Sequence, residues 1–568
     1  MVARQQPEVK GSGRSASRSG KERRAERQQR QVQQAAHQAQ HPGPRRDVAY
    51  RPWRRLTRDQ RAVAARLTAG QVELVTVSGW GIVGQWLAFL DELGYLGLLE
   101  IEGTGFQRVM IPLARLLLTY QVKALLGIAS INLVPTRLFR DLALLKLIGY
   151  TTAQIAAGFC RRGGLAAGPM HQNTLSDAIE RLSAEELETL LNATVKRLVA
   201  RGFFRPSAGH FALDASDLET TQRYLGAGMK TITERKVTKQ KQVVEIERYV
   251  YGFKVLIIYE VRLRLIVAAK VVPINEHEPQ HTLALVRQAI ANLGPDVLRV
   301  LLIDAGFLDG ETLWTLTHDL AIDFVVPSKA KMHVTTDAQQ LSRRPADRET
   351  VFPAERRGEP TPERDGTLRW AGQVTVVGVA ALGSYDQYGT AEHGQRANRK
   401  DFVANPINAV VVTAWGGHAY APGKEPVFLT SLPVQAPLAV LDLYDLRSLI
   451  ENTAFRELKQ GWGLARFPKK TLAAVRGHVV LTLLTFTLTN AFHTQSGQAL
   501  TQSGIRRQRA QTECGQVIVF AGDHYAIFDI EEVFILLGVA PATCLRVDPA
   551  EVRRRYHLPP PPALPAAA

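Results

Sequence analysis

Three carboxylates of this 568-residue chain lie far apart in sequence but at places where chemistry is often done. Asp214 closes the run FALD, Asp304 closes VLLID ahead of AGFLDG, and Glu451 lies within YDLRSLIENTAFRELKQGW, Tyr444 to Trp462. In open α/β sheets, ligand and catalytic groups gather at the carboxyl ends of strands. An isolated Asp there more often caps a helix or a turn, so the significance of these acids rests on their acting together. Three acids held close without a counter-ion would repel and raise one another's pKa values. A hard divalent ion such as Mg²⁺ prefers oxygen ligands and removes that cost. Two such ions about 3.5–4 Å apart can activate a water or a 3′-hydroxyl and stabilise the leaving oxygen of an in-line attack on phosphorus. Asp217, three residues on in DASD, is the nearest substitute for Asp214.

The segment around Glu451 adds bases to the acid. At about 100° per residue, Tyr444, Arg447, Glu451 and Lys459 fall within roughly a third of a helix circumference. Leu446, Leu449 and Ile450 lie on or near the opposite side, where they can anchor the helix to a core. Alone, this is an ordinary solvated face with i,i+4 ion pairs. Beside two further acids it becomes a place where bases flank a scissile phosphate. The stretch HEPQH, His277 to His281, matches a zinc-protease pattern, but that pattern needs both histidines on one continuous helix. Pro279 stands inside it, so His277, Glu278 and His281 read as loop and helix-start residues. Neither GxxxxGK[ST] nor a strand-linked GxGxxG occurs, which argues against nucleotide-driven chemistry.

The bulk composition points the same way. Hydrophobic residues make up 45% and charged residues 22%, enough to fold around real cores, while the net charge is +17 and the pI about 9.8. So large a positive excess suggests a polyanionic partner, nucleic acid first and an anionic membrane second. VMIPLARLLLTYQVKALLGI is interrupted by Pro112, Arg115 and Lys123, and HVVLTLLTFTLTNAF is about a turn or more too short to span comfortably, so no membrane partner is expected. The N-terminus is too basic and too poor in apolar residues for a secretory signal. Cys160, Cys514 and Cys544 form no metal-binding spacing and no disulfide framework, which fits a reducing cytoplasm.

These residues must be positioned by a chain of several parts. Residues 1–68, rich in Arg, Gln, Ser and Gly, read as a disordered basic arm that serves either phosphate backbones or solubility. Residues 69–206 have a helical pattern and form a candidate DNA-binding domain. Within it LFRDLALLKLIGYTTAQIAAGFCRR reads as a helix, a Gly149 turn, a Thr151 cap and a second helix, either a helix-turn-helix or a plain helical hairpin. From 207 to 331 strands take over: HFALDAS, then the paired runs of YVYGFKVLIIYEVRLRLIVAAKVV. TLALVRQAIANLG, LRVLLID, GETLWTLTHDL and IDFVVPSK follow as helix, strand, helix and strand. This antiparallel start followed by βαβα alternation outlines a three-layer α/β domain. Residues 332–432 begin loop-rich, with RRPADRETVFPAERRGEPTPERDG, and continue as strands, so they read as a β-rich insertion. The α/β domain resumes over 433–500, and 501–568 is a C-terminal segment ending in the Pro/Ala tail HLPPPPALPAAA.

FALDASDLETT, VLLIDAGFLDGETLW and YDLRSLIENTAFRELK, in this order and spacing, resemble the DDE transposases of bacterial insertion sequences, in the group whose type member is insertion sequence four. The resemblance covers about 205–495 and implies a ribonuclease-H-like catalytic core interrupted by a β-rich insertion, with a Tyr-Arg-Glu-Lys signature around the last acid. It implies that Asp214, Asp304 and Glu451 are catalytic and bind two Mg²⁺ ions, with Mn²⁺ able to substitute, while Tyr444, Arg447 and Lys459 contact the element's terminal DNA. It further implies cleavage at transposon ends and strand transfer into double-stranded target DNA, by a protein that acts as a homodimer on DNA in the bacterial cytoplasm, at the nucleoid. The alternatives are a nuclease on the same core without strand transfer, and a catalytically silent DNA-binding derivative. Two departures stand out: seven residues separate Glu451 from Lys459 where six are usual, and Ala305 follows Asp304 where Arg is common.

Overall fold

A computed structural model describes residues 56–559 apart from 77–80, 102–110, 153–154, 156–168, 238–242, 348, 359, 363–367, 371, 386–398, 497–515 and 540–546. Most of the expected basic arm, most of the second helix after Gly149, the three cysteines and most of the Pro/Ala tail lie outside these residues.

The chemistry-bearing segments hang on one eleven-stranded sheet. Its strands are β1 (His210–Thr220), β2 (Gly228–Val237), β3 (Val243–Glu260), β4 (Leu265–Pro273), β5 (Val300–Ile303), β6 (Asp323–Pro327), β7 (Val351–Arg356), β8 (Val374–Leu382), β9 (Ile407–Trp415) and β10 (Val427–Thr430), with the short His418–Ala419 paired to β9. The order is β2-β3-β1-β5-β6-β10-β9-β8-β7, and β4 also pairs with β3. β1, β5 and β6 run parallel to one another, while β3 is antiparallel to β1, β2 and β4. Five successive β3 residues, Val255 to Tyr259, are fully buried. Successive strand side chains point to opposite faces, so both faces of the sheet are covered there. This is a mixed α/β architecture.

β7 to β10 extend this same sheet, joining it through the antiparallel pairing of β10 with β6, while Pro360–Pro362 and Leu368–Trp370 form a separate two-stranded antiparallel sheet. VFPAER, expected within a loop-rich stretch, forms β7. Its Pro353 and charges hide a strand that can exist because β7 ends the sheet, where a missing N–H costs no ladder bond.

The helix α4 (Leu472–Ser496) runs through the interior, after α1 (Pro279–Leu293), α2 (Pro437–Asp445) and α3 (Arg456–Gln460). The helices Leu113–Leu125, Asn173–Glu180 and Ala184–Ala200 pack on α4, and so does β4. Among the described residues α4 is the one helix long and apolar enough to cross a membrane, longer than the apolar run HVVLTLLTFTLTNAF suggested, and most of it is buried in the protein. Three of its buried threonines are satisfied within the helix, Thr482, Thr485 and Thr489 donating to the carbonyls of His478, Leu481 and Thr485, while Thr487 Oγ1 accepts from Ile266 N of β4 at 3.3 Å.

The expectation that residues 1–68 form an arm is corrected at its end. Thr57–Arg58 is a strand, and Gln60–Thr68 is a helix capped by Asp59. Together with Leu74–Thr76 they join the strands Gln516–Ala521 and His524–Asp529 in a second sheet of four strands. Val63, Leu67, Val519, Phe528, Leu536 and Val552 share its core. The apolar positions of Gln60–Thr68 are few, and their partners lie more than 400 residues away, so local composition gave no sign of them.

Gly477 marks where α4 crosses Asn173–Glu180: a Cβ there would stand 2.6 Å from the Ile179 carbonyl oxygen. Gly477→Ala should lower stability by about 1–2 kcal/mol, since overpacking costs roughly 1–3 kcal/mol and Ala regains only about 1 kcal/mol of helix propensity. Chemical denaturation checks this; a variant at least as stable as the parent would mean that the two helices separate freely.

Candidate active site

Strand register places the first two acids. β1 pairs in parallel with β5 up to Leu213 opposite Ile303, so the next residues, Asp214 and Asp304, leave that pairing side by side. The expectation that Asp214 ends a strand needs correction: β1 continues to Thr220, held by β3 alone on one edge. Asp214 therefore sits where the parallel part of the sheet stops. Asp304 starts a 3₁₀ turn over Ala305–Phe307, its Oδ2 accepting from Gly306 N at 3.2 Å.

The third acid comes from a helix that is not continuous. The four signature residues were expected on one side of one helix, but α2 ends at Asp445. Tight bonds follow, from Arg447 N to Tyr444 O at 2.8 Å and from Ile450 N to Arg447 O at 2.9 Å. Ile450–Phe455 is then a π-helix, and α3 begins at Arg456. No Pro or Gly lies between Leu438 and Gln460, so nothing in the sequence announces the break. A π turn takes in about one more residue than an α turn.

The outcome is a cluster around one guanidinium. Arg447 Nη1 lies 3.0 Å from Asp214 Oδ2 and 3.5 Å from Asp304 Oδ1, and its Nη2 lies 2.7 Å from Glu451 Oε1. Side-chain exposure rises from 9% at Asp214 through 38% at Asp304 to 53% at Glu451, so the cluster opens to solvent on the Glu451 side. The Tyr444 ring lies 5.6 Å from the guanidinium carbon and packs on Phe428 at 4.8 Å between centroids. Burial raises the pKa of the Tyr444 phenol, keeping it neutral. Buried Arg447 Nε has no hydrogen-bond partner.

Lys459 stands apart from this group. Burial lowers its pKa, opposed by the charges of Asp217 and Glu219. By strand alternation those two acids lie on the other side of β1 from Asp214. Asp217 is paired with Lys230, so Asp214 and not Asp217 joins the cluster. In HEPQH, Pro279 opens α1, His277 precedes the helix, and His281 contacts Glu276 at 2.7 Å. Sequence reasoning also missed a buried pair behind the Asp304 turn, Lys254 Nζ to Glu278 Oε1 at 2.7 Å. The reading of HEPQH had set Glu278 aside as a loop or helix-start residue, and nothing in β3 marked Lys254.

Among the described residues no three His, Cys, Asp or Glu side chains form a ready-made metal site. The three acids face Arg447 instead. They nonetheless suit a hard divalent ion: all donors are carboxylate oxygens, and the most buried of them is poorly neutralised by its surroundings. Burial lifts the Asp214 carboxyl to about 7, with Arg447 and the Ala215 N–H pulling it down and Asp304 and Glu451 pushing it up.

A sequence-family match to the transposase DDE domain spans residues 205–488, half of the chain. The chain belongs to the DDE transposase family. This transposase family carries metal-dependent nuclease and transposition chemistry and uses divalent metal ions. No curated protein matches the chain. One similar solved structure, a cryo-EM structure of the piggyBac transposase synaptic complex with hairpin DNA, is 11% identical over 86% of both chains with a TM-score of 0.34, too low to argue from.

The raised Asp214 pKa has a sign that can be tested without DNA. An Asp normally titrates near 3.8, so between about 4 and 7 the folded protein holds a proton that the unfolded chain releases, and stability falls as pH rises through that window. Asp214→Asn removes the charge. In EDTA its thermal midpoint should exceed that of the parent at pH 8, with the difference vanishing toward pH 4. Parallel curves for the two proteins would mean that Asp214 is not held protonated.

Proposed function

We propose that this transposase belongs to the insertion-sequence-four group, that it cleaves double-stranded DNA at the ends of its element, and that it joins the freed ends to target DNA. The observation that carries this reading is the gathering of Asp214, Asp304 and Glu451, from three distant segments, around Arg447. The order β4-β3-β1-β5-β6, with β1, β5 and β6 parallel and β3 antiparallel, supports a ribonuclease-H-like core. The charge of +17 supports a polyanionic partner.

The three acids would hold two Mg²⁺ ions. Bound there, the ions supply charge neutralisation for an in-line displacement at phosphorus, first by water and then by the 3′-hydroxyl it frees. The chain's own residues do the positioning. Asp214, fixed mid-strand, is the rigid member, and Glu451, on the exposed π turn, is the one that can shift as DNA arrives. Arg447 neutralises the acids while the site is empty of DNA. A phosphate then offers its guanidinium two parallel hydrogen bonds, better than the divided contacts it makes with three carboxylates. Tyr444 holds that guanidinium against its ring. Lys459 is assigned to DNA along the flank of β1 rather than to the scissile phosphate.

Ala at Asp214, Asp304 or Glu451 should abolish Mg²⁺-dependent cleavage of a duplex carrying the element's end, with DNA affinity changed less than a few-fold. Full activity in any one variant removes that residue from the site. Strand-joined product from the parent protein separates a transposase from a nuclease that only cuts. Arg447→Ala should slow single-turnover cleavage at saturating DNA by at least about tenfold, or ~1.4 kcal/mol of transition-state stabilisation. Arg447→Lys should recover only part of this. Normal cleavage by Arg447→Ala would leave that residue only the structural task of holding Asp214, Asp304 and Glu451 together.

A further inference from the structure

Behind the Asp304 turn lies a charged pair that the reaction scheme leaves unused. Lys254, on β3, has a side chain only 9% exposed; its Nζ reaches Glu278 Oε1 at 2.7 Å and the Glu276 carbonyl at 3.3 Å. Glu278 is the residue before α1, a position where a carboxylate commonly caps its own helix. It makes no such cap. Its side chain is longer than the Asp, Asn, Ser or Thr that reach the second or third helical N–H from this position, and the carboxylate turns away from the helix. The second oxygen, Oε2, points at Gly306: a Cβ built on that glycine would stand 2.3 Å from Glu278 Oε2 and 3.4 Å from Asp304 Oδ2. The two carboxylates thus flank the same point of the turn, with the Gly306 N–H bonded to Asp304 Oδ2 on one side and the Gly306 α-hydrogen facing Glu278 on the other.

Resting on the reading of Asp304 as a metal-holding acid, we infer that Glu278, anchored by Lys254, is a positioning residue that fixes the Gly306 turn and through it the orientation of the Asp304 carboxylate. A lysine–glutamate pair that only fastened α1 to the sheet would have no reason to place its free oxygen against the backbone that orients Asp304. A side chain at 306 would take the place of Glu278 Oε2 and force that carboxylate to move. Ordering of a ligand by a partner one shell further out is what sets metal affinity in sites of this kind, and loss of such a partner costs about 10–100-fold.

The test measures Mn²⁺ binding to the full-length protein without DNA, by the loss of the free-ion electron paramagnetic resonance signal, and the Mg²⁺ concentration for half-maximal cleavage. Glu278→Ala should weaken both by about tenfold or more, with affinity for duplex DNA close to that of the parent and a lower thermal midpoint, because Lys254 loses its counter-charge. Glu278→Gln keeps the shape and one oxygen, which Lys254 takes, and turns its NH2 toward Gly306, so it should restore only part of the loss. Gly306→Ala should reproduce the defect in the parent, yet cost markedly less when Glu278 is already Ala, because the atom it strikes is gone. This last comparison also serves if Glu278→Ala alone folds poorly. Unchanged Mn²⁺ affinity in Glu278→Ala, or additive effects in the double variant, would overturn the inference. A Glu278→Gln protein as impaired as Glu278→Ala would overturn it too, by making Glu278 a direct ligand. Asp304→Asn separates the two levels: if it leaves Mn²⁺ binding and cleavage intact, the assignment of Asp304 itself fails.

Discussion

The guanidinium of Arg447 among three carboxylates is the interaction on which the functional part of this structure depends. Asp214 comes from the middle of the sheet, Asp304 from a turn after a buried strand, and Glu451 from a helical segment more than a hundred residues further on. Desolvation and mutual repulsion would drive three such groups apart. A single cation with several hydrogen-bonding directions holds them within reach of one another at 2.7–3.5 Å. That arrangement keeps the acids preassembled, and it makes the neutralising charge a movable one. Buried ion pairs often stabilise poorly because dehydration consumes most of their attraction. Stability alone is therefore a weak reason for such a cluster.

The rest of the fold brings this cluster together at one end of the parallel strands. Parallel pairing of β1 with β5 brings the two aspartates level, and the antiparallel continuation of β1 along β3 makes Asp214 immobile. The interruption between α2 and α3 turns Arg447 inward and leaves Glu451 half exposed. π turns are rare in helices and recur at functional sites, where a locally unfavourable hydrogen-bond pattern is retained for the direction it gives one side chain.

Much of this was legible in the sequence. The three acids could be found because strand-ending aspartates and a basic-flanked glutamate are local patterns, and the α/β alternation over 207–331 was carried by periodicity. The helix break at 446–455 was not legible, because it is imposed by what Arg447 touches and not by a breaker residue. β7 was masked by Pro353 and its charges, whose cost disappears only on an edge strand. The position of Lys459 beside Asp217 and Glu219 was hidden for a related reason: a regular helix, which the protein does not form here, would carry it on the face of Glu451. Strand alternation, a more robust rule, separates Asp214 from Asp217 with no knowledge of the tertiary structure. Pairings between the two ends of the chain had no local signature at all.

Those pairings have a consequence for how the molecule is made. The sheet that joins Thr57–Arg58 and Leu74–Thr76 to Gln516–Ala521 and His524–Asp529 cannot begin to form until nearly the whole polypeptide has left the ribosome. α4, which the helices of residues 113–200 require as their packing partner, also emerges late. At about 5–20 residues per second of synthesis, the early helices wait on the order of tens of seconds with apolar faces uncovered. Contacts of such long sequence separation also slow the search that follows. The nascent chain is therefore exposed to holdase chaperones and proteases for most of its production, and the supply of folded protein depends on that interval as well as on how often the message is read.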